Sequence, residues 1–361
     1  MMTVPALIIG GGPAGSAAAI TLAMAGMRPK LIERHKLPAG CVCGGFLGWD
    51  ALRALEALGI DPWALGARPI SRFRLVTAEQ VVEAELPARA AGLSRKMLDR
   101  ALLDAAQAAG ADVTLGRAAR AIDPFARSVR LDDGDRIAAN AIFLATGKHE
   151  MRGLARRFAH SSAGLRASLP SSQRLDGLAE VVELHLFDDG YAGLLMQEDG
   201  SANLCLSVSR DRLNEAGSIA ALLPDLMRQA PALAARMEGT VPPRFDAVAG
   251  VPYGWRARDS SDGIFRIGDQ AAVIASLAGD GIAIALASGA SAARAMLAGG
   301  PGAASGWQRC MDRQSRRPVG IAEMLRHGAA SPLPRRAMMA ALRLMPRLGT
   351  RAARLTRIVR D

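Results

Sequence analysis

Aromatic side chains make up only 4% of the 361 residues, with two Tyr, four Trp and eight Phe. That scarcity excludes the aromatic stacking platforms that bind single-stranded nucleic acid and leaves cores to be built from small aliphatic residues. Cysteine is scarce too: four in this length do not make a disulfide framework. Cys41-Val42-Cys43 has no second Cys/His pair at ligand spacing, so no metal site is expected. No uninterrupted apolar run reaches the ~18 residues of a membrane span. The closest, residues 271–286, is broken by Gly279-Asp280-Gly281. The first apolar run is only a strand long and does not resemble a secretory signal, so a reducing, cytoplasmic setting is expected.

Acidic charge is missing from one region in particular. Residues 309–361 hold thirteen arginines against Asp312, Glu323 and Asp361, so this segment carries nearly all of the net charge of +11. A basic tail on a near-neutral body does not read as a nucleic-acid surface. With 50% hydrophobic and 22% charged residues the chain is globular, and its length allows two domains or one large discontinuous one.

Glycine, by contrast, is abundant and placed. In residues 6–34 an apolar strand, Ala6-Leu7-Ile8-Ile9, meets Gly10-Gly11-Gly12-Pro13-Ala14-Gly15 and continues as an Ala-rich helix. Gly10 suits a tight turn, Gly12 lets backbone approach a pyrophosphate, and Gly15 lets helix and strand pack closely. The phosphate would sit at the positive helix N-terminus. A second strand ends at Glu33, eighteen residues past Gly15, where a carboxylate can accept from both hydroxyls of an adenosine ribose. These residues specify a dinucleotide site and leave FAD and NAD both open.

The chain continues with a Gly- and Cys-containing loop at 35–47, a helix at 48–58 and a hairpin over 71–86. Ser94 is a plausible N-cap for an amphipathic helix to residue 109, with Arg95 in its first turn facing cofactor phosphate or solvent. A strand at 111–115, a hairpin at 128–131 and 136–137, and a separate buried strand at 141–144 follow. Strands at 180–187, 192–196 and 202–208, with turns at 188–190 and 198–200, read as a second, antiparallel sheet; helices follow at 219–229 and 232–238. Strand 264–267 runs into Gly268-Asp269, and Gly279-Asp280-Gly281 opens an apolar helix from Ile282. Asp269 can accept from ribityl or ribose hydroxyls, and the helix after Gly281 can offer N–H groups to a flavin carbonyl or phosphate.

In this order the motifs resemble the glutathione-reductase-type FAD superfamily, in the branch of aromatic hydroxylases, geranylgeranyl reductases and flavin-dependent halogenases. Cys43-Gly44-Gly45-Phe46-Leu47 resembles the Cys-Gly-Gly loop of geranylgeranyl-reductase-like proteins, and Gly190-Tyr191-Ala192-Gly193 their Gly-Tyr-Ala-Trp strand. The resemblance implies FAD, with Gly10, Gly12, Gly15, Glu33, Arg34, Arg95 and Asp269 as contacts. Pro13, Ala14, Cys43, Gly44, Gly268, Gly279, Gly281 and Ile282 complete the expected cofactor site. The chain departs from the branch at Ala145-Thr146-Gly147-Lys148-His149-Glu150, where an Asp-Gly pair is usual. It departs again at Ala275-Ser276-Leu277-Ala278, where Asn-Pro-x-Thr is frequent, and at Cys41, where the reductases tend to carry a basic residue. A halogenase-type Trp-x-Trp-x-x-Ile segment is absent, so halogenation is discounted.

The expected fold is α/β: a Rossmann-like, three-layer ββα FAD-binding domain with an inserted antiparallel-sheet substrate domain and a helical C-terminal tail. The boundaries are 1–70, 91–153 and 250–300 for the FAD domain, 71–90 and 154–249 for the substrate domain, and 301–361 for the basic tail. Without a second G-x-G-x-x-G, NADPH or NADH is expected only as a transient reductant. The favoured activity is reduction of a double bond in a lipophilic or aromatic substrate, prenyl or polyketide/quinone-like, by hydride from reduced flavin N5. Hydroxylation through a peroxyflavin is the alternative, and a non-catalytic FAD-binding protein a third reading. Proton-donor candidates are Cys43 and Tyr191, then His185 and Tyr253; His149 and His160 are expected in surface loops. Two readings of the tail stay open. Arg343, Arg347, Arg351 and Arg354 lie opposite Met338, Leu342, Met345, Leu348 and Leu355, which suits an anionic bilayer at the inner face of the membrane. The other is a helix folded back on the body. Oligomeric state is not specified.

Overall fold

The structure, a computed structural model, describes residues 3–37, 41–158, 162–239 and 244–358. The expectation for His160 lies outside them. The chain opens with β1 (Thr3–Ile9), α1 (Pro13–Met24) and β2 (Lys30–Glu33), followed by β3 (Phe46–Leu47), α2 (Trp49–Ala57), β4 (Arg68–Val76) and β5 (Val81–Gly92). Next come α3 (Arg95–Ala108), β6 (Asp112–Leu115), β7 (Ala119–Asp123), β8 (Ser128–Leu131) and β9 (Arg136–Leu144). The middle of the chain supplies β10 (Ser162–Leu169), β11 (Glu180–Phe187), β12 (Gly190–Met196) and β13 (Ala202–Ser209), then α4 (Arg210–Ala216), α5 (Ile219–Gln229) and α6 (Pro231–Met237). The C-terminal third holds β14 (Asp246–Val251), β15 (Ile264–Arg266), α7 (Gly281–Gly299), α8 (Ala303–Ala330), α9 (Pro332–Leu344) and α10 (Arg347–Leu355).

The first sheet has the order β6-β2-β1-β9-β8-β7, with β15 also on β9. Its pairings among β6, β2, β1, β9 and β15 are all parallel. Residue alternation then sorts the layers, because successive side chains on a strand face opposite ways. Ala6, Ile8, Ala141 and Phe143 pack under α1, α3 and α7, whereas Leu7, Ile9, Ile142 and Leu144 pack under Ile122, Val129 and Leu131 of the β7–β8 hairpin. That is the ββα layering. The Ala-rich composition has a geometric reason: a methyl group on Gly289 of α7 would lie 2.1 Å from the Ala14 carbonyl oxygen of α1.

The second sheet runs β14-β10-β13-β12-β11-β4-β5-β3 and is antiparallel except for the parallel β11–β4 pair. One face packs Leu165, Leu194 and Leu204 under Leu222, Leu226 and Leu233. The opposite face packs Phe73, Leu75, Val82, Leu186 and Tyr191 against Ala329, Met339 and Leu342 of the tail.

Several expected boundaries change. Residues 136–137 and 141–144 belong to one strand, β9, because it runs the full length of β1 while its start also pairs with β8. The hairpin expected over 71–86 covers 68–92 and holds β3 at its edge. Strands β3, β7, β10 and β14 and helix α4 had no sequence expectation. The tail restarts after Pro346 and folds back on the body, the second of its two readings: Met339 and Leu342 are buried, and Gly349 fits against the Phe73 ring where a methyl could not. Among the described residues, the helix long and apolar enough to cross a membrane is α7, not 271–286, and α7 packs in the core between α1 and α8.

Candidate functional site

The glycine turn between β1 and α1 is built as its spacing demands. Gly10 has φ +108°, and a side chain there would collide with the Ala145 carbonyl at 2.4 Å. A methyl on Gly15 would sit 1.9 Å from the Gly10 carbonyl oxygen, so only glycine lets α1 start this close to β1. Gly12 precedes α1 without a side-chain cap and Pro13 occupies its first turn, so its leading amides are open to a ligand. At the end of β2, Glu33 accepts from Gly11 N–H at 2.8 Å and from His35 N–H at 2.9 Å.

Arg95 stands beside Gly12: its Nη2 would be 3.3 Å from a methyl there. Ser94 caps α3 by accepting from Met97 N–H, and Asp99 takes two hydrogen bonds from Arg95 at 2.8 Å each. Burial opposes the Arg95 charge, but Asp99 outweighs it and the guanidinium stays firmly charged. Arg34, in contrast, is exposed and turned toward His35 and His149.

The distant motif closes on the same place. Gly268 has φ +60°, and a methyl on it would meet the Ala14 Cβ at 2.9 Å. Asp269 is held from behind, where the fully buried Arg156 side chain donates to its carbonyl at 2.8 Å. Gln270 donates to Thr146, Gly147 and His149, locking the 146–149 loop to the turn. Lys148 reaches from that loop to the Asp269 carboxylate at 3.5 Å. Burial works against its charge, but Asp269 prevails and holds the ammonium above the ordinary lysine value. His149 is exposed, as expected for a surface loop.

Between the two sheets lies the Cys-Gly-Gly loop. Asn203 on β13 donates to the Cys43 and Gly44 carbonyls at 2.9 and 2.8 Å, and Arg166 on β10 holds the Asn203 side-chain oxygen at 2.8 Å. Gly279, at φ +69°, packs against the Phe46 ring. Burial pushes the Cys41 thiol up to about 11, partly opposed by Arg95, and the Cys205 thiol up to about 12, so both stay protonated. Tyr191 and Tyr253 both hydrogen-bond the Ser276 hydroxyl, Tyr253 at 2.6 Å. Burial raises both phenols above their ordinary value. Tyr191 is the buried end of this chain of hydroxyls and Tyr253 the half-buried end.

His185 does not join them. It is fully buried on the helix-covered face of the second sheet, 2.9 Å from Glu183, whose carboxylate also receives Arg74 and Arg236. It is a core histidine in an ion network, because its strand register points it away from Tyr191. Sequence reasoning also missed Lys148, Asn203, Cys205, Ser207 and Ser276. A signal for three of them existed: Asn203, Cys205 and Ser207 recur every second residue in an otherwise apolar strand, which puts them on one face.

The residues present fit a dinucleotide. Two helices without side-chain N-caps, α1 and α7, pack together, the start of α1 meeting α7 at Gly289, with a carboxylate, Glu33 and Asp269, near the glycine turns of each half. Residues 3–152 match the FAD binding domain family model. Digeranylgeranylglycerophospholipid reductase 2 of Methanopyrus kandleri is 29% identical over 312 residues, 78% of this chain and 74% of that protein. Menaquinone reductase of Mycobacterium tuberculosis is 28% identical over 311 residues, 80% and 75% of the two chains. Among solved structures, a flavin-dependent brominase superposes with TM-score 0.81 at 17% identity, covering 98% of this chain and 93% of its own. A geranylgeranyl bacteriochlorophyll reductase-like protein of Thermoplasma acidophilum gives 0.77 at 18%, covering 95% and 91%. A probable FAD-dependent monooxygenase of Pseudomonas aeruginosa gives 0.73 at 19%, covering 91% and 97%. The resemblance to FAD-dependent oxidoreductases with geranylgeranyl-reductase-like and aromatic-hydroxylase-like members is borne out, and the three superpositions establish the fold.

Proposed function

We propose that this chain is an FAD-dependent oxidoreductase that reduces a carbon–carbon double bond in a lipophilic, prenyl or quinone-like substrate. The observation that carries this reading is the Tyr253–Ser276–Tyr191 chain of hydroxyls beside the Cys43-Gly44-Gly45 loop. When bound, reduced FAD supplies hydride from N5. Gly10, Gly12, Gly15, Glu33, Arg95, Gly268 and Asp269 would hold the cofactor, and Asn203 fixes the loop that borders it. Reduction also needs a proton on the second carbon. Tyr253 Oη, half-buried, donates it and regains a proton from solvent, while Ser276, held in turn by Tyr191, fixes the Tyr253 hydroxyl in place. Both phenols are neutral at physiological pH, as donors must be. The names of the two relatives, which give digeranylgeranylglycerophospholipid and menaquinone as substrates, support the same class.

The competing reading is hydroxylation with O₂, favoured by the likeness of fold to a monooxygenase. Supplying NADPH or NADH as transient reductant, with a polyprenyl lipid under nitrogen and then in air, separates them. Turnover without oxygen supports the reductase. Substrate-dependent O₂ consumption with no anaerobic turnover overturns it, and no turnover in either gas favours a non-catalytic FAD-binding role.

A cytoplasmic protein resting on the inner face of the membrane suits such a substrate. Leu333, Leu344 and Met345 are 76%, 82% and 56% exposed on the tail among Arg336, Arg343 and Arg347. Because Met339 and Leu342 belong to the core, the test is the variant Leu344→Glu/Met345→Glu rather than a deletion. Unchanged flotation with anionic liposomes overturns this placement.

A further inference from the structure

The N-terminus of α7 is held by the other end of the chain. Asp280, immediately before α7, is 1% exposed; its backbone is helical (φ −107°, ψ 0°) rather than the extended form in which an aspartate caps a helix, and it makes no hydrogen bond to the helix's own amides. Its carboxylate turns outward instead, accepting from Arg357 Nη1 at 2.7 Å and Ile358 N–H at 3.2 Å. The Arg357 guanidinium also reaches the Gly279 and Ala278 carbonyls at 3.5 Å and lies 4.1 Å from the centre of the Trp49 ring. Gly48 leaves room for it, since a methyl there would sit 2.7 Å from Nη1. One buried side chain thus ties the turn before α7 to the segment that follows the Cys-Gly-Gly loop.

We propose that Arg357 is a positioning residue for the flavin: by holding the Asp280 carboxylate away from α7, it would keep the helix's first amides and positive dipole end open to a flavin carbonyl. The inference rests on the FAD reading of the Gly279-Asp280-Gly281 turn. An aspartate released from Arg357 rotates about ψ into the extended capping form and accepts from the free amides, because capping contributes favourably at that position. There it competes with the ring carbonyl and partly cancels the dipole. The reduced flavin, richer in negative charge, loses more than the oxidised form. Arg357 therefore raises the reduction potential without touching the cofactor.

The test is a cycle of variants read by FAD dissociation and by flavin midpoint potential. Arg357→Met is expected to bind reduced FAD about tenfold more weakly relative to oxidised FAD, which for a two-electron couple is a fall of ~30 mV. Arg357→Met/Asp280→Ala removes the competing carboxylate and is expected to return the potential to the parent value. Arg357→Gln, which keeps donors for the Ala278 and Gly279 carbonyls, serves if the methionine variant does not fold and has the same expected fall. An unchanged potential in the single variant overturns the proposal, and so does a double variant no better than the single one, which is what a purely structural role gives. Parent protein that takes up no FAD would instead sink the cofactor reading on which the proposal rests.

Discussion

Gly268 and Ala14 meet at the junction of the two cofactor motifs: a methyl on Gly268 would lie 2.9 Å from the Ala14 Cβ, and Gly268 sits at φ +60°, where side chains are strained. Gly268→Ala adds both penalties at once, roughly 2–4 kcal/mol together. The expected result is a lower unfolding midpoint and FAD binding weakened at least tenfold. Calorimetric unfolding and flavin fluorescence measure both, and parent-like values in each would show that the two turns are not in contact.

Glu33 accepts the Gly11 N–H and so shapes the phosphate turn as well as facing the expected ribose. Replacing a charged acceptor costs about 1.5–3 kcal/mol. Glu33→Gln should therefore weaken FAD binding about 10- to 100-fold, read by equilibrium dialysis. An affinity within twofold of the parent contradicts this role.

Tyr253 and Tyr191 differ in position along one hydroxyl chain, so their phenylalanine variants should differ in effect. Tyr253→Phe is expected to slow anaerobic turnover by about 100-fold, the scale of one general acid. Tyr191→Phe should cost less, because Ser276 still hydrogen-bonds Tyr253. Stopped-flow reduction of the flavin by nicotinamide should stay unchanged in both. Equal losses, or a larger one at Tyr191, would relocate the donor.

Glu183 supplies a pH test of the second sheet. Burial alone would raise its carboxyl, but hydrogen bonds from His185, Arg236 and Arg74 hold it at about 2, below the ordinary 4.5. A depressed carboxyl stabilises the fold above its unfolded value and loses that contribution as pH falls through the folded one. The shift corresponds to on the order of 3 kcal/mol, present above about pH 4.5 and lost toward pH 2. In Glu183→Gln the urea midpoint should be lower at pH 7 and its decline between pH 4.5 and 2 shallower. A slope identical to the parent's would mean that Glu183 is not the titrating group.

Much of the cofactor half was legible because its determinants are local. Gly10, Gly12 and Gly15 act through conformations set within a few residues, Ser94 caps the helix it precedes, and the apolar runs of β1 and β9 announce parallel strands buried on both faces. Boundaries slipped where pairing is shared. Residues 136–144 form one strand because β1 pairs along 138–144 and β8 along 136–138, although the local polarity of the sequence divides it in two. His185 was misplaced for a related reason: its residue type names a chemistry, but only the register of β11 decides which face of the sheet it joins.

The sequence by itself determined the dinucleotide turn, the order of motifs that makes FAD the expected cofactor, and the arginine-rich tail, since each follows from residue type and short spacing. Only the tertiary structure decided that the tail's apolar side packs on the second sheet, that Lys148 reaches Asp269, that Tyr253 shares Ser276 with Tyr191, and that Arg357 holds Asp280. Those side-chain pairings join residues 23 to 121 positions apart and the tail brings Gly349 to Phe73, 276 positions away; contact at such separations is set by the packing of whole layers rather than by any preference of the residues concerned.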